Sequence, residues 1–334
     1  MRKVNFVFRT LALLTLFCAG AVFAQAQTQN RTFVASTGTD AGTCPRNAPC
    51  RTFEYALTQT RAGGEINAVD VADYTGPTGT LVINKAVTID ALGVGATLTS
   101  QNFQDAIRVE VGAGDTVIIR NLSLTGFQEV TATSPGDNGI RYLSGGALVI
   151  QNCDIHSFRG AGIIAQASQT TSGAATLTAK LAISDTKVYN NYGYGIYLDG
   201  RLGNPLDFAI DNARIEANGV NFGNGVGLAV FAFNGDVRGV VRDSVMAGNA
   251  TGVNVTSNAG RSAQVHLEDC SVSTNQIGIQ SGFGSGTSRV FISDTVVQFN
   301  QSIGLAASGG QIVSFGDNKV GPGQGSPTSV LPQQ

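Results

Sequence analysis

Leu181-Ala-Ile-Ser-Asp185-Thr-Lys-Val188 and Phe208-Ala-Ile-Asp-Asn212-Ala-Arg-Ile215 share one pattern: an alternating run, an Asn or Asp, and a second alternating pair. The same pattern precedes them in Val117-Ile-Ile-Arg-Asn121-Leu-Ser-Leu124 and Leu148-Val-Ile-Gln-Asn152-Cys-Asp-Ile155. It follows them in Gly239-Val-Val-Arg-Asp243-Ser-Val-Met246, Val265-His-Leu-Glu-Asp269-Cys-Ser-Val272 and Val290-Phe-Ile-Ser-Asp294-Thr-Val-Val297. The Asn/Asp position falls at 121, 152, 185, 212, 243, 269 and 294, in steps of 31, 33, 27, 31, 26 and 25. A second marker, Gly before Ile, Leu or Val, keeps that phase at Gly139, Gly162, Gly195, Gly227, Gly252, Gly278 and Gly304. Two period-2 strands per repeat, with no helical pattern between them, predict the coils of a parallel β-helix. A sandwich would need hairpin turns every ~8–12 residues, which this phase does not supply.

Coils stack at ~4.8 Å, so equivalent residues form ladders along the axis. Ile119, Ile150, Ile183, Ile210, Val241, Leu267 and Ile292 form one inward ladder, and Leu124, Ile155, Val188, Ile215, Met246, Val272 and Val297 another. The Asn/Asp position turns the chain between strands, because these residues tolerate left-handed backbone. The slot after it holds Leu122, Cys153, Thr186, Ala213, Ser244, Cys270 and Thr295. Cys153 and Cys270 therefore lie four coils apart, about 19 Å, far beyond disulfide reach, and read as buried thiols.

Composition narrows the function classes. Lys+Arg 21 against Asp+Glu 23 gives a net charge of −2, and without Arg2, Lys3 and Arg9 it becomes 18 against 23, or −5. Binding driven by phosphate neutralisation is not expected, so nucleic acid is excluded as a partner. Residues 1–24 combine a basic start, an apolar run and small residues before Gln25, and read as a signal peptide cleaved after Ala24 or Ala26. The run is too short for a membrane span, so the mature chain is expected to be secreted or periplasmic. Export makes a local disulfide between Cys44 and Cys50, across a Pro-Arg-Asn-Ala-Pro loop, the natural reading.

The repeat, together with Phe33-Val-Ala-Ser, Cys44, Pro49-Cys50-Arg51-Thr52-Phe53 and Gly63-Gly64-Glu65-Ile66, resembles secreted bacterial proteins of the pectin-lyase-like superfamily. That resemblance implies an all-β, right-handed parallel β-helix over residues 64–320, with an N-terminal cap over 25–63. In the cap, residues 53–60 can form a short amphipathic helix with Phe53, Ala56 and Leu57 on one face, plugging the open end of the solenoid. Residues 321–334, rich in Gly, Pro, Ser and Gln, read as a disordered tail. The resemblance is weak for activity. Polygalacturonase-like members carry Asn-Thr-Asp, Asp-Asp and Gly-His-Gly, none of which occurs here.

After the turn, the outward slots run Ser123, Asp154, Lys187, Arg214, Val245, Ser271, Val296 and Thr125, His156, Tyr189, Glu216, Ala247, Ser273, Gln298. Three adjacent coils thus present Asp154, His156, Lys187, Tyr189, Arg214 and Glu216. Tyr192, Tyr194 and Tyr197 follow closely, and insertions at 127–138, 165–179 and 199–207 interrupt the same coils. Exposed aromatics stack on sugar faces, and long loops on a rigid scaffold favour binding. These residues form the expected site for a polysaccharide or cell-surface glycan. On the preceding strand, Ile118, Val149, Ala182, Ala209, Val240, His266 and Phe291 make a largely apolar outer stripe that wants a cover.

With the catalytic motifs absent, the expectation is a non-catalytic carbohydrate-binding or structural surface protein without cofactor or metal. The alternative is a pectate-lyase-like enzyme acting on a uronic-acid polysaccharide. There Lys187 or Arg214 would abstract the proton alpha to the carboxylate, and calcium on Asp154 and Glu216 would stabilise the carbanion. Alkylation under denaturing conditions, read by mass spectrometry, is expected to label Cys153 and Cys270 and to spare Cys44 and Cys50. A bridge between positions 153 and 270 would break the deduced register.

Overall fold

The structure, a computed structural model, describes residues 29–91, 93–127, 135–168, 178–200, 203–219 and 225–331. The expected signal peptide lies outside them, as do 128–134, 169–177 and 201–202 of the three insertions. Three sheets of 12, 10 and 9 strands run the length of the chain, and successive coils contribute one strand to each. The first sheet opens with Gln29–Val34 and Thr60–Ala68 and closes with Ser329–Val330. The second runs from Ala72–Asp73 to Lys319–Val320, and the third from Leu81–Ile83 to Ile303–Ser308.

Neighbouring coils pair in parallel and in the expected register. Ile150 faces Ile119 and Ile183, Ile210 faces Val241, and Leu267 faces Ile292. Ile155 lies between Leu124 and Val188, and Val272 between Met246 and Val297. All of these side chains are buried. Asn121, Asn152, Asp185, Asn212, Asp243, Asp269 and Asp294 all adopt φ between +46° and +61°, so the recurrent Asn/Asp makes a left-handed corner between the first and second sheets.

A second corner follows, marked from Asn191 onward by an asparagine that the sequence reading did not use. Ser157, Asn190, Ala217, Gly248, Thr274 and Phe299, five residues further on, also have positive φ. The next residues explain why: Asn191, Asn218, Asn249, Asn275 and Asn300 form a buried ladder. Asn249 Oδ1 accepts from the Asn218 backbone N–H at 2.9 Å and from its Nδ2 at 3.0 Å. Asn249 Nδ2 donates to the Ile215 carbonyl at 2.9 Å and to Asn275 Oδ1 at 3.1 Å. The amides of Asn218, Asn249, Asn275 and Asn300 thereby each satisfy a main-chain N–H and a carbonyl of the preceding coil, where an unpaired polar group would be costly. The ladder also explains the glycine marker. A Cβ on Gly227 would lie 2.8 Å from Asn249 Nδ2, and one on Gly252 2.8 Å from Asn275 Nδ2.

Both ends of the stack are closed. The helix Phe53–Gln59 (α1) buries Phe53, Ala56 and Leu57, and Thr52 caps it by accepting from the Tyr55 N–H at 3.1 Å. Asp40 holds that cap through the Arg51 and Thr52 N–H groups, at 2.8 and 3.0 Å. The Cys44–Cys50 disulfide is present, while Cys153 and Cys270 are free and buried, with thiols that burial pushes up to about 11. The expected disordered tail is corrected over its described part. Gln324 continues the ladder by accepting from the Asn300 N–H at 3.0 Å, and Ser329–Val330 pairs with Val313 and Ser314. Its polar composition serves to terminate hydrogen bonds of the last coils.

Asn249→Ala is expected to lower stability by about 2–4 kcal/mol, because the Ile215 carbonyl and Asn218 N–H lose their partners inside the core. Denaturant unfolding measures it, and a loss within ~0.5 kcal/mol would show that the ladder is dispensable.

Candidate functional site

The second sheet brings together the six residues expected there. Asp154 faces Lys187, which faces Arg214, and His156 faces Tyr189, which faces Glu216. The His156 and Tyr189 rings stack with centroids 4.9 Å apart, and Arg214 pairs with Glu216 at 2.6 Å within its own strand. His156 Nε2 lies 4.0 Å from Asp154 Oδ1, and its Nδ1 shares a 2.9 Å hydrogen bond with Ser157 Oγ. Burial holds the imidazole below its usual pKa despite Asp154. Desolvation first, then Asp154, pushes the Tyr189 phenol up to about 12. Lys187 is exposed. Asp154 and Glu216 stand two coils apart, about 10 Å by strand spacing, so these two carboxylates do not converge. Among the described residues no group of three or more His, Cys, Asp or Glu is placed to hold a metal.

The tyrosines divide at the corner between sheets. Tyr192 lies in the turn, and Tyr194 and Tyr197 belong to the third sheet. There their rings meet at 5.1 Å, and Tyr197 packs on Phe231 at 5.3 Å. These two side chains therefore join an aromatic cluster on another face, with Phe231 and Phe233 stacked at 5.0 Å.

A cleft of about 750 Å³ lies on the third sheet near α1, which the sequence reading missed. Clefts of ~300–1,000 Å³ are typical of small-ligand sites. Strand register places Arg108 beside Val82 and Arg141 beside Arg108. The paired cations are held by carboxylates: Arg141 Nε lies 2.8 Å from Asp105 and its Nη2 3.1 Å from Asp137, while Arg108 Nε lies 2.8 Å from Glu110. Asn138 donates to Asp105 at 2.8 Å and to Asp137 at 2.9 Å, fixing both acids. Lys85 donates to the Thr60 carbonyl at 2.7 Å, and burial lowers its pKa. Phe103 presents a half-exposed ring at the cleft, with the Arg159 guanidinium 5.2 Å from its centroid.

A signal for this cleft did exist. Arg141 stands two residues after the Gly139 marker, and the outward slot of that strand continues through Ile164, Tyr197 and Ala229. Only the strands flanking the Asn/Asp corner had been aligned, so the third row went unread.

A family model described as the right-handed beta helix region matches residues 65–321, and the chain belongs to that family. The expected all-β, right-handed parallel β-helix is therefore the fold. Among solved structures, the chain is similar to pectate lyase Pel9A at 16% identity, over 90% of this chain and 79% of that one, with a TM-score of 0.52. It is similar to XylC in complex with xylose at 10% identity, over 85% and 68%, with a TM-score of 0.59. The A-module of the Azotobacter vinelandii mannuronan C-5 epimerase AlgE4 aligns over 81% and 91% at 14% identity, with a TM-score of 0.42. At these identities the likeness is one of fold. No curated protein matches the chain in sequence.

Asp154→Asn removes the anion beside Tyr189, so its phenol is expected to fall from about 12 toward the ordinary value near 10. A pH titration of ring-labelled tyrosine by NMR reads this, and an unchanged value would assign the whole shift to burial.

Proposed function

We propose that the protein is an extracytoplasmic β-helix that binds a polysaccharide without cleaving it, along the cleft of the third sheet. The observation that carries this reading is the cleft itself: about 750 Å³ lined by Lys85, Arg108 and Arg141 against Glu54, Asp105 and Asp137, with Phe103 exposed at its side. The Arg141 and Arg108 ion pairs hold donors and acceptors in place before a ligand arrives, which cuts the ordering cost of binding. Such fixed polar pairs suit hydroxyl and carboxylate groups, and an exposed ring suits the apolar face of a sugar. The Cys44–Cys50 disulfide and the export character of residues 1–24 support a location outside the cytoplasm. Among the described residues no helix is long and apolar enough to cross a membrane. The fold neighbours include a pectate lyase and a structure with bound xylose, which supports a carbohydrate ligand.

A second placement, on the second-sheet face, is favoured by the exposed Lys187 ammonium beside Arg214, a pair of cations that suits an acidic chain. One experiment separates the two. Calorimetric titration with oligogalacturonate is compared between the natural protein, a Phe103→Ala, Arg108→Gln variant and a Lys187→Ala, Arg214→Ala variant. The first variant is expected to lose about tenfold or more in affinity and the second to bind as before. The reverse pattern would move the site to the second sheet. Release of unsaturated products in the same mixtures would replace binding by lyase action.

A further inference from the structure

The outer face of the first sheet carries a groove that neither the cleft nor the charged patch explains. In its C-terminal half the outward positions 207, 238 and 264 line up as Asp207, Arg238 and Gln264, and the next row is Ala209, Val240, His266 and Phe291. A hollow of about 440 Å³ lies between the polar row and Phe291, with Val240 and His266 along its floor. A further hollow of about 300 Å³ adjoins it and shares Asp207, Arg238 and Gln264.

The two sides of this groove have different chemistry. At one end His266, Phe291 and Phe315 form an aromatic group, with His266–Phe315 at 5.4 Å and Phe291 and Phe315 stacked at 6.3 Å. Ser293 Oγ and His266 Nε2 share a hydrogen bond of 2.9 Å, and burial lowers the imidazole pKa from its ordinary value. Along the other side, Arg238 is clamped by Asp207 through Nε at 2.9 Å and Nη2 at 3.3 Å, leaving Nη1 to donate. Gln264 Nε2 donates to Ser262 Oγ at 3.0 Å, which orients the amide and leaves its Oε1 to accept.

We propose that this groove binds a neutral sugar ring of a polysaccharide, stacked on Phe291 and hydrogen-bonded by Arg238, Gln264 and Asp207. A pyranose has an apolar face and an edge of hydroxyls that both donate and accept, matching an aromatic floor beside fixed donors and acceptors. Arg238 pairs with Asp207 and the adjoining hollow adds Asp236, so the rim offers no spare positive charge, which selects a neutral ring over a uronate. The polar rim also argues against a purely apolar occupant, whose burial would strip those groups of water without returning hydrogen bonds. This site is separate from the third-sheet cleft and does not rest on it.

The test uses the whole protein with three probes: xylan oligosaccharides, oligogalacturonate and an apolar fluorescent dye. Calorimetry and saturation-transfer NMR are run on the natural protein and on Phe291→Ala, Gln264→Ala and Phe103→Ala, with circular dichroism confirming the fold of each. The expected result is binding of the neutral oligosaccharide that falls about tenfold or more in Phe291→Ala, falls in Gln264→Ala, and is retained in Phe103→Ala. Neutral binding lost only in Phe103→Ala would overturn the groove while supporting the cleft. Absence of neutral binding, binding of oligogalacturonate alone, or binding of the dye alone would each overturn it too.

Discussion

In-register stacking of asparagine amides inside the corner between the second and third sheets is the constraint on which the rest of this molecule depends. The amides of Asn191, Asn218, Asn249 and Asn275 each bond to the amide of the next coil as far as Asn300, so none of these coils can slip without leaving buried polar groups unpaired. A slip of one residue would also carry the apolar ladders outward. The glycines of the following strand exist because the amides occupy the space a Cβ would need. Gln324 ends the series, its longer side chain reaching Asn300 from a segment that has left the coil pattern.

Rigid stacking has a consequence for function. Residues far apart in sequence become neighbours on an outer face at a spacing set by the backbone, as with Arg108 and Arg141, 33 positions apart in sequence and adjacent in strand register. Like charges at that spacing would repel, and here Arg108 is neutralised by Glu110 of its own strand and Arg141 by Asp137 of its own coil and Asp105 of the neighbouring one. The same rule places Lys187 next to Arg214, but only Arg214 has an in-strand carboxylate, Glu216, at pairing distance. Three outer faces therefore differ in chemistry while sharing one scaffold: a polar cleft, a charged flat patch and an aromatic groove. The disulfide-braced cap and α1 protect the apolar end that such a scaffold necessarily exposes.

Much of the fold was legible because its signals are local and repeat. An Asn or Asp that must enter the left-handed region advertises a corner, and period-2 alternation advertises which side chains turn inward. Both ladders, the buried cysteines and the capping helix followed from those rules. The second corner was missed although Asn191, Asn218, Asn249, Asn275 and Asn300 recur six residues after the Asn/Asp position, because the left-handed residues before them, such as Ala217, Thr274 and Phe299, share no preference for positive φ, and the asparagine ladder imposes it on them. The tail was misread for a similar reason. Gly, Pro, Ser and Gln suggest disorder in isolation, whereas the exposed edge of the last coil offers hydrogen-bond partners that only exist once the solenoid is built.

The sequence by itself determined the parallel solenoid, its register, the inward ladders and the six charged and aromatic residues that share the second-sheet face, because each is set by spacing along the chain. The tertiary structure decided which residues face one another across coils outside that register. It separated Tyr194 and Tyr197 from Tyr189 by turning the chain between them, and it gathered α1, Phe103, Asp105, Arg108, Asp137 and Arg141 around one cleft. Cleft shape depends on how turns of unequal length fold back over a flat sheet, and no periodicity in the sequence encodes that distance.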